Sequence, residues 1–371
     1  MKSNNENQLF QQATQHTQPI NGSLELLPLC NMNCDMCYVR LTREEMESKG
    51  RLRTVDEWLD VAHQMKKAGT LFLLLTGGEP LLYPGFKELY VELKKMGMIL
   101  TINTNGTLMN EEWAEFFGKY KPRRINITLY GTDDRAYEEL CHYPGGFQKT
   151  VDGIRRLREK GVDVKISVSL TKENQNEIEK FYEIGKKLDA PVHTDIYMLP
   201  ATRERNKPYN EQARMSPKDM ALAHMKLLEK QLEYPEFIQS IVNTIVEVDR
   251  FVPGEEKPGC MSCYAGRCSY TINWQGEMRP CVILSEPAIS VFDVGFKAAW
   301  KYMVEEVDKI RTASKCTVCS KKSFCQTCAA SALCEEGSYD RVPQYLCEYT
   351  EELLFLLRQR LEQEGIAIKY E

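Results

Sequence analysis

The chain has 371 residues, enough for one large α/β domain with an appendage or for two domains. Its 48 basic and 53 acidic residues nearly balance, which excludes the basic footprint of a nucleic-acid binder and a polybasic membrane patch. No apolar run approaches the ~18 residues of a membrane span, and the polar, Asn/Gln-rich start is unlike a signal peptide. We therefore expect a cytoplasmic protein that acts on small molecules or peptides.

Short β-rich runs alternate with amphipathic helical patterns through the first two thirds of the chain. Thr54 with Glu57 predicts a helix-starting capping box, and Ser216 before Pro217 predicts another helix start. Alternating βα units wind parallel strands whose carboxyl ends collect ligand groups at one edge. The six predicted strands span residues 23–29, 70–76, 98–103, 124–130, 162–170 and 191–199.

The pattern changes near residue 250, which we predict as a domain boundary. A helical stretch beginning at residue 232 runs into a Pro/Gly linker that ends at residue 259, and the strand–helix alternation then stops. We therefore predict a polar N-terminal tail (residues 1–22), an α/β domain (23–250), a cysteine-rich domain (251–350) and a closing amphipathic helix (351–371).

Fourteen cysteines are unusual for a large chain in a compartment where thiols stay reduced, so metal or cluster ligation is the leading explanation. Cys30, Cys34 and Cys37 directly follow the first predicted strand, with no fourth cysteine nearby. A structural zinc site closes with four ligands, whereas a four-iron cluster on three cysteines keeps one iron open. The spacing therefore favours an open [4Fe–4S] cluster.

A second motif follows the second predicted strand, at Gly77, Gly78, Glu79 and Pro80. Glycines allow backbone to approach a ligand closely, and a carboxylate can receive an ammonium group. An ordinary strand-end turn is the alternative interpretation of this stretch when it is taken alone.

In this order along the chain, the two motifs resemble those of the radical S-adenosylmethionine (SAM) superfamily. The resemblance implies a partial (β/α)6 barrel of the TIM type and a [4Fe–4S] cluster on Cys30, Cys34 and Cys37, whose open iron chelates SAM. It also implies that one electron, from a flavodoxin- or ferredoxin-type reductant, cleaves SAM to a 5′-deoxyadenosyl radical that abstracts a hydrogen atom.

The resemblance further assigns contacts to SAM. Gly77 to Glu79 would hold its methionine amine, with Pro80 in the same turn, and the backbone near Met36 would contact adenine. Many family members carry an aromatic residue before the third cysteine, which is displaced here to Tyr38. Weaker candidates for the ribose and carboxylate of SAM lie at later strand ends, where a polar cap is the alternative: Asn105, Thr128, Ser167 and Ser169.

The second cysteine block resembles the SPASM extension, which holds two auxiliary [4Fe–4S] clusters in enzymes that modify peptides and proteins. Spacing alone leaves zinc as an alternative. Two residues separate Cys325 from Cys328 where three are common, so a shifted ligand or an open site remains an alternative too. The resemblance assigns Cys316, Cys319, Cys325 and Cys347 to one cluster, and Cys263, Cys281 and Cys328 to the other, with Cys260, Cys268 or Cys334 as its fourth ligand.

The resemblance predicts that the enzyme installs a thioether or carbon–carbon cross-link in a ribosomally made peptide, with leader recognition by the chain itself or by a separate leader-binding protein. Formylglycine formation, as in anaerobic sulfatase maturases, is the alternative, although Val282 stands where those enzymes carry a proposed basic aspartate. A peptide epimerase with Cys141 or Cys334 as hydrogen donor is a third option.

The isolated Cys141 is otherwise expected to be a buried small hydrophobe. No histidine pair has the helical spacing of metal ligands, so we assign no histidine to a metal. A non-catalytic iron–sulfur protein for electron transfer or regulation is the alternative from a different functional class, but a carrier has no need of the Gly-Gly-Glu-Pro turn.

Overall fold

The computed structural model describes residues 4–200, 203–205 and 213–368. All six predicted strands are present and pair in parallel in chain order, which confirms the α/β class and the parallel sheet of the barrel. The strands are β1 (Asn21–Glu25), β2 (Phe72–Thr76), β3 (Ile99–Thr104), β4 (Arg124–Thr128), β5 (Val164–Ser169) and β6 (Val192–Asp195).

Helices between the strands cover the outer face of this sheet. The predicted capping box at Thr54 and Glu57 and the helix start at Ser216 and Pro217 are both confirmed. The helices are α1 (Asn4–Gln15), α2 (Arg43–Lys49), α3 (Val55–Ala68), α4 (Phe86–Lys95), α5 (Glu111–Lys119), α6 (Asp134–Cys141), α7 (Gly146–Glu159), α8 (Ile178–Lys187), α9 (Pro217–Gln231) and α10 (Tyr234–Asp249).

Alternation along β3, β4 and β5 separates the core from the lumen of the barrel. On β5, Val164, Ile166 and Val168 are buried beneath the helices, whereas Ser167 and Ser169 are only half-buried and face the opposite way. The same pattern on β3 and β4 gives the lumen a polar lining. The sheet therefore presents its functional side chains on one face and at one edge.

The cysteine-rich region continues the barrel's sheet. Strand β8 (Ser269–Ile272) pairs in parallel with β1. Together with β9 (Glu277–Arg279) and β10 (Ile289–Ser290), it extends the barrel strands into one sheet of nine strands within the described residues. The C-terminal elements are β7 (Gly259–Cys260), β8 (Ser269–Ile272), β9 (Glu277–Arg279), β10 (Ile289–Ser290), α11 (Val291–Val294), α12 (Phe296–Val307), β11 (Arg311–Thr312), α13 (Ser314–Thr317), α14 (Ala329–Glu336) and α15 (Gln344–Gln363). None of the helices that the structure describes is long and apolar enough to cross a bilayer.

The N-terminal segment, expected as a polar tail, contains helix α1. Phe10 and Ala13, three positions apart, form an apolar stripe that is buried in a small cluster with Ile20, Phe72 and Cys268. The sequence prediction missed this helix because its overall polarity conceals the short stripe. Helix α1 thus covers the first residue of β2, Phe72, and Cys268, which directly precedes β8.

Replacing Phe10 with Ala should expose Cys268, because deleting a buried aromatic ring costs about 3 kcal/mol and opens the cluster locally. We expect the alkylation of Cys268 by iodoacetamide, measured by peptide mass spectrometry on the holoprotein, to accelerate by about tenfold. The exposed Gln11→Ala is the matched control and should leave the rate unchanged. Equal protection of Cys268 in both variants would contradict this packing and indicate that another group shields the thiol.

Candidate active site

The carboxyl ends of the strands open into a cavity of about 400 Å³, which we call the barrel cavity. Most of the predicted SAM and cluster residues meet here, because they follow neighbouring parallel strands. Those that line it are Cys30, Cys34, Met36, Cys37, Tyr38, Gly77, Gly78, Asn105, Thr128, Ser167 and Ser169.

The Gly-Gly turn is packed against the segment that carries the cysteines. The Gly78 amide donates to the Leu27 carbonyl at 2.7 Å, and a Cβ on Gly78 would lie 2.2 Å from the Leu29 carbonyl oxygen. Gly77 has φ +144° and would place a Cβ 2.5 Å from the Leu27 oxygen. The glycines are therefore required by contact with the chain's own backbone, in addition to lining the cavity.

The Glu79 carboxylate does not line the barrel cavity, contrary to the expectation that it would receive an ammonium group. It is fully buried and accepts hydrogen bonds from the Thr104 hydroxyl (2.8 and 2.9 Å), the Asn105 amide (2.9 Å) and the Leu81 amide (3.1 Å). Burial raises the pKa of Glu79 to about 7, although these hydrogen bonds oppose the shift. Pro80 is likewise buried in a 3₁₀ turn, so both residues brace the end of β3.

Two of the first three thiols, Cys30 and Cys37, receive hydrogen-bond donors that suit thiolates. The Met32 amide donates to Cys30 Sγ at 3.4 Å, and the Arg40 amide donates to Cys37 Sγ at 3.3 Å. The Asn105 side-chain amide approaches Cys30 Sγ at 3.7 Å. Burial raises the pKa of the Cys30 thiol to about 12 and that of Cys37 above its ordinary value. A bound cationic metal centre reverses this protonation preference, so the donor set fits an iron–sulfur cluster.

Cys141 lies beside residues 30–37, which we call the cysteine loop, although Cys141 is distant from them in sequence. Its carbonyl accepts from the Asn33 amide and the Leu140 carbonyl accepts from the Asp35 amide, both at 3.0 Å. The neighbouring Cys141 thiol, together with burial, raises the pKa of Cys34 well above its usual range. Cys141 is fully buried and does not line the barrel cavity, so its position does not suit the expected role of hydrogen donor to a substrate.

Two asparagines that sequence analysis missed also line the barrel cavity. Asn126 donates through Nδ2 to Asn103 Oδ1 at 2.8 Å, while its own Oδ1 is buried and has no hydrogen-bond partner among the residues that the structure describes. An unpartnered buried amide oxygen is costly, so it is suited to a ligand hydroxyl or amine. The signal was available in the sequence, because Asn126 precedes Thr128 by two residues and therefore shares its face of β4.

A second cavity of about 360 Å³, the adjoining cavity, opens beside the first. The two cavities share Met36, Tyr38, Ser169 and Asp195. The rest of the adjoining cavity is lined by Leu170, Tyr197, Met198, Leu199, Pro200, Arg203, Val282 and Ile283. It therefore extends from the cysteine loop to the residues that follow Cys281.

A buried ion pair joins the walls of the adjoining cavity. Arg203 and Glu25 expose 1% and 2% of their side chains and form a bidentate pair at 2.7 and 2.8 Å. Arg203 also donates to the Val282 carbonyl at 2.6 Å, and the Glu204 amide donates to the Tyr38 carbonyl at 3.0 Å. Arg203 and Glu204 therefore connect β1, the cysteine loop and the cysteine-rich region. No sequence motif predicts this ion pair.

The second cysteine block forms its own cavity of about 200 Å³. Four of its thiols, Cys316, Cys319, Cys325 and Cys347, line this one cavity. Burial, followed by the charges of the other three thiols, raises the pKa of Cys347 to about 11. Within the described ranges, no three His, Cys, Asp or Glu side chains are arranged to hold a single metal ion. The cysteines lining this cavity are Cys260, Cys263, Cys316, Cys319, Cys325, Cys328 and Cys347.

The cysteines expected at the other auxiliary site are only partly brought together. Burial, followed by the charges of Cys263 and Cys328, raises the pKa of Cys281, so these three thiols are neighbours. Cys268 is not among them, because it is fully buried beneath helix α1, where the Thr14 hydroxyl donates to its Sγ at 3.2 Å. This position removes Cys268 from the candidates for the fourth ligand and leaves Cys260 and Cys334.

Comparison with known proteins agrees with this geometry. Residues 24–184 match the model of the Radical SAM superfamily. This part of the chain is therefore a radical SAM domain. The family uses SAM and a [4Fe–4S] cluster, which the three thiols and the barrel cavity can accommodate.

The relatives of this chain have different named functions. It is 26% identical over 332 residues to the AdoMet-dependent heme synthase of Methanosarcina barkeri. The aligned region covers 85% of this chain and 92% of that protein. It is 25% identical over 287 residues to the subtilosin biosynthesis protein AlbA of Bacillus subtilis, covering 74% of this chain and 60% of that protein. Streptococcus suis SuiB, solved with the precursor peptide SuiA, shares the fold with a TM-score of 0.62, 17% identity and coverage of 92% and 80%.

Glu79 should make stability depend on pH. Between its ordinary pKa of 4.5 and its native value of about 7, the carboxyl binds more protons folded than unfolded, so stability falls as pH rises through this window. The loss between pH 5 and pH 8 should be roughly 2 kcal/mol.

Glu79→Gln removes the titrating group and places an amide against three donors. The variant should be less stable than the wild type at pH 5, with the difference shrinking by pH 8, in urea unfolding followed by circular dichroism. Glu88→Gln, at an exposed position of α4, is the control. A wild-type-minus-variant difference that is equal at both pH values would contradict the raised pKa of Glu79.

Proposed function

We propose that this radical SAM enzyme oxidatively modifies a ribosomally made peptide by forming a thioether or carbon–carbon cross-link. The observation that carries the proposal is the position of the adjoining cavity. It shares Tyr38 and Ser169 with the barrel cavity at one end and reaches Val282, next to Cys281, at the other. A substrate held there would lie between the two groups of thiols.

SAM and the cluster on Cys30, Cys34 and Cys37, when bound, supply a 5′-deoxyadenosyl radical that abstracts a hydrogen atom from the substrate. The chain's own residues orient SAM. The Gly77–Gly78 backbone lines one wall, and the unpartnered Asn126 Oδ1 offers an acceptor on the other. The shared position of Ser169 would bring the reactive end of SAM close to the adjoining cavity.

The auxiliary thiols fit a role as acceptors for the electron that remains on the substrate after hydrogen abstraction. We assign one auxiliary [4Fe–4S] cluster to the four thiols around Cys347 and the other to Cys263, Cys281 and Cys328, completed by Cys260 or Cys334. A flavodoxin- or ferredoxin-type reductant and, for leader recognition, a separate peptide-binding protein are the partners that this proposal includes.

Two other peptide-directed activities are less well supported. Formylglycine formation would need a base where Val282 contributes only an apolar side chain and a carbonyl that is occupied by Arg203. An epimerase needs a thiol that faces the substrate, and Cys141 is fully buried behind Cys34. Cys334 remains the thiol that an epimerase could use.

The similarity to a heme synthase raises a tetrapyrrole as a second candidate substrate. Propionate carboxylates of a porphyrin require cationic partners. In the described part of the adjoining cavity, the charge of Arg203 is neutralised by Glu25, and Asp195 contributes a negative charge. This charge balance favours a peptide over a porphyrin.

Replacing Cys316 and Cys319 together with Ala should separate radical generation from product formation. The variant loses two thiolates of one cluster and should lose its iron there. Cys30, Cys34 and Cys37 are unchanged in it, so it should retain part of its cleavage of SAM to 5′-deoxyadenosine. It should fail to convert a precursor peptide encoded in the neighbouring genes, assayed anaerobically with dithionite by mass spectrometry.

Cys268→Ala is the matched control, because this thiol lies outside both groups and should be dispensable for iron binding and product formation. Wild-type product formation by the double variant, once iron analysis has shown that the cluster is missing, would overturn the electron-accepting role. Absence of 5′-deoxyadenosine from the reconstituted wild type would overturn catalysis and favour an electron-transfer protein.

A further inference from the structure

Asp195 occupies a position shared by the two cavities that no motif or family assignment explains. It is the last residue of β6 and stands opposite Ser169 in the register with β5, so both side chains face the lumen. Its side chain is 60% exposed, and it lines both the barrel cavity and the adjoining cavity. Asp195 is therefore accessible to a substrate at the place where SAM and substrate meet.

The carboxylate of Asp195 is only weakly neutralised by the described protein groups around it. His193, two residues earlier on the same face, places Nε2 3.3 Å from Oδ1 and carries charge only when protonated. Lys165 on β5 lies close enough to interact electrostatically with Asp195, but the two are not joined by an ion pair within 4.0 Å. One carboxylate oxygen thus remains available to a ligand.

Among the described residues, the other walls of the adjoining cavity contain one cation, Arg203, which is already paired with Glu25. The Arg203 guanidinium is held by both oxygens of Glu25 and by the Val282 carbonyl. Tyr38 and Tyr197 contribute aromatic rings, and the remaining walls are aliphatic: Met36, Leu170, Met198, Leu199, Pro200, Val282 and Ile283. In the part of the lining that the structure describes, the cavity combines an apolar wall with one negative charge, on Asp195, that is only weakly neutralised.

We propose that the adjoining cavity binds a lysine or arginine side chain of the peptide substrate, with its cationic head on Asp195. The long methylene stem of such a side chain packs well on apolar walls while its head seeks a carboxylate. Ile283 and Leu199 provide such walls beside Asp195. Asp195 is then the residue that selects a cationic position in the peptide and holds it next to SAM. The proposal rests on the peptide-directed function given above.

The test uses the anaerobically reconstituted holoprotein with SAM and a displayed library of random dodecapeptides. Peptides retained by the wild type should be enriched in Lys and Arg over Leu and Met at one position by about tenfold. Asp195→Asn should abolish that enrichment, and Asp195→Lys should shift it to Asp and Glu. Iron content verifies that each variant is folded and loaded.

Asp189→Asn is the matched control, because Asp189 precedes the same strand, is 90% exposed and is paired with Arg158 on the outer surface. It should keep the wild-type enrichment. The proposal is overturned if the wild type shows no cationic preference, if it retains no peptide, or if Asp195→Asn retains the same preference as the wild type.

The same library separates this proposal from the proposed function. Addition of dithionite should cause retained peptides to lose two hydrogens on cross-linking, as read by mass spectrometry. Cationic enrichment without a mass change would support the role of Asp195 and contradict oxidative cross-linking. A mass change on peptides that show no cationic enrichment would support oxidative cross-linking and contradict the role of Asp195.

Discussion

The close approach of the Gly77–Gly78 backbone to the Leu27 and Leu29 carbonyls is the constraint on which the rest of the site depends. It continues the pairing of β1 with β2 beyond the strands themselves, and no side chain larger than hydrogen fits at either glycine. Because the cysteine loop begins one residue after Leu29, this contact places the first thiol at the mouth of the barrel. The position of the cluster therefore follows from backbone packing.

Further contacts convert this placement into a rigid site. Glu79 ties the end of β2 to the end of β3 through Thr104 and Asn105, and Asn105 in turn approaches Cys30. The end of α6 accepts two amides of the cysteine loop. The buried pair of Arg203 and Glu25 then connects this loop to the segment after Cys281. The distance between the two groups of thiols is thus set by the fold, as the proposed transfer of a hydrogen atom and an electron from one substrate would require.

The sequence predicted the features that depend on local pattern. Strand periodicity predicted the six barrel strands. The resemblance of the second cysteine block assigned four thiols to one cluster, and these four, Cys316, Cys319, Cys325 and Cys347, line one cavity. The roles of Glu79 and Cys268 were not accessible in this way, because they depend on what lies opposite each side chain in three dimensions. The ion pair between Arg203 and Glu25 joins residues that are far apart in sequence, and no motif predicts it. The position of Asp195 between the two cavities is set by strand register, which no motif predicts either. Helix α1 was missed because two buried residues decide its packing within a polar segment.

The central claim is that the chain carries one three-thiol site in the barrel and a separate set of thiols for two further clusters. Iron and sulfide analysis of the anaerobically reconstituted protein, together with the variant in which Cys30, Cys34 and Cys37 are all Ala, tests this claim most directly. The account predicts about twelve irons per wild-type chain and about eight in the variant, with loss of SAM cleavage only in the variant. About four irons in the wild type, with zinc at the remaining thiols, would contradict it.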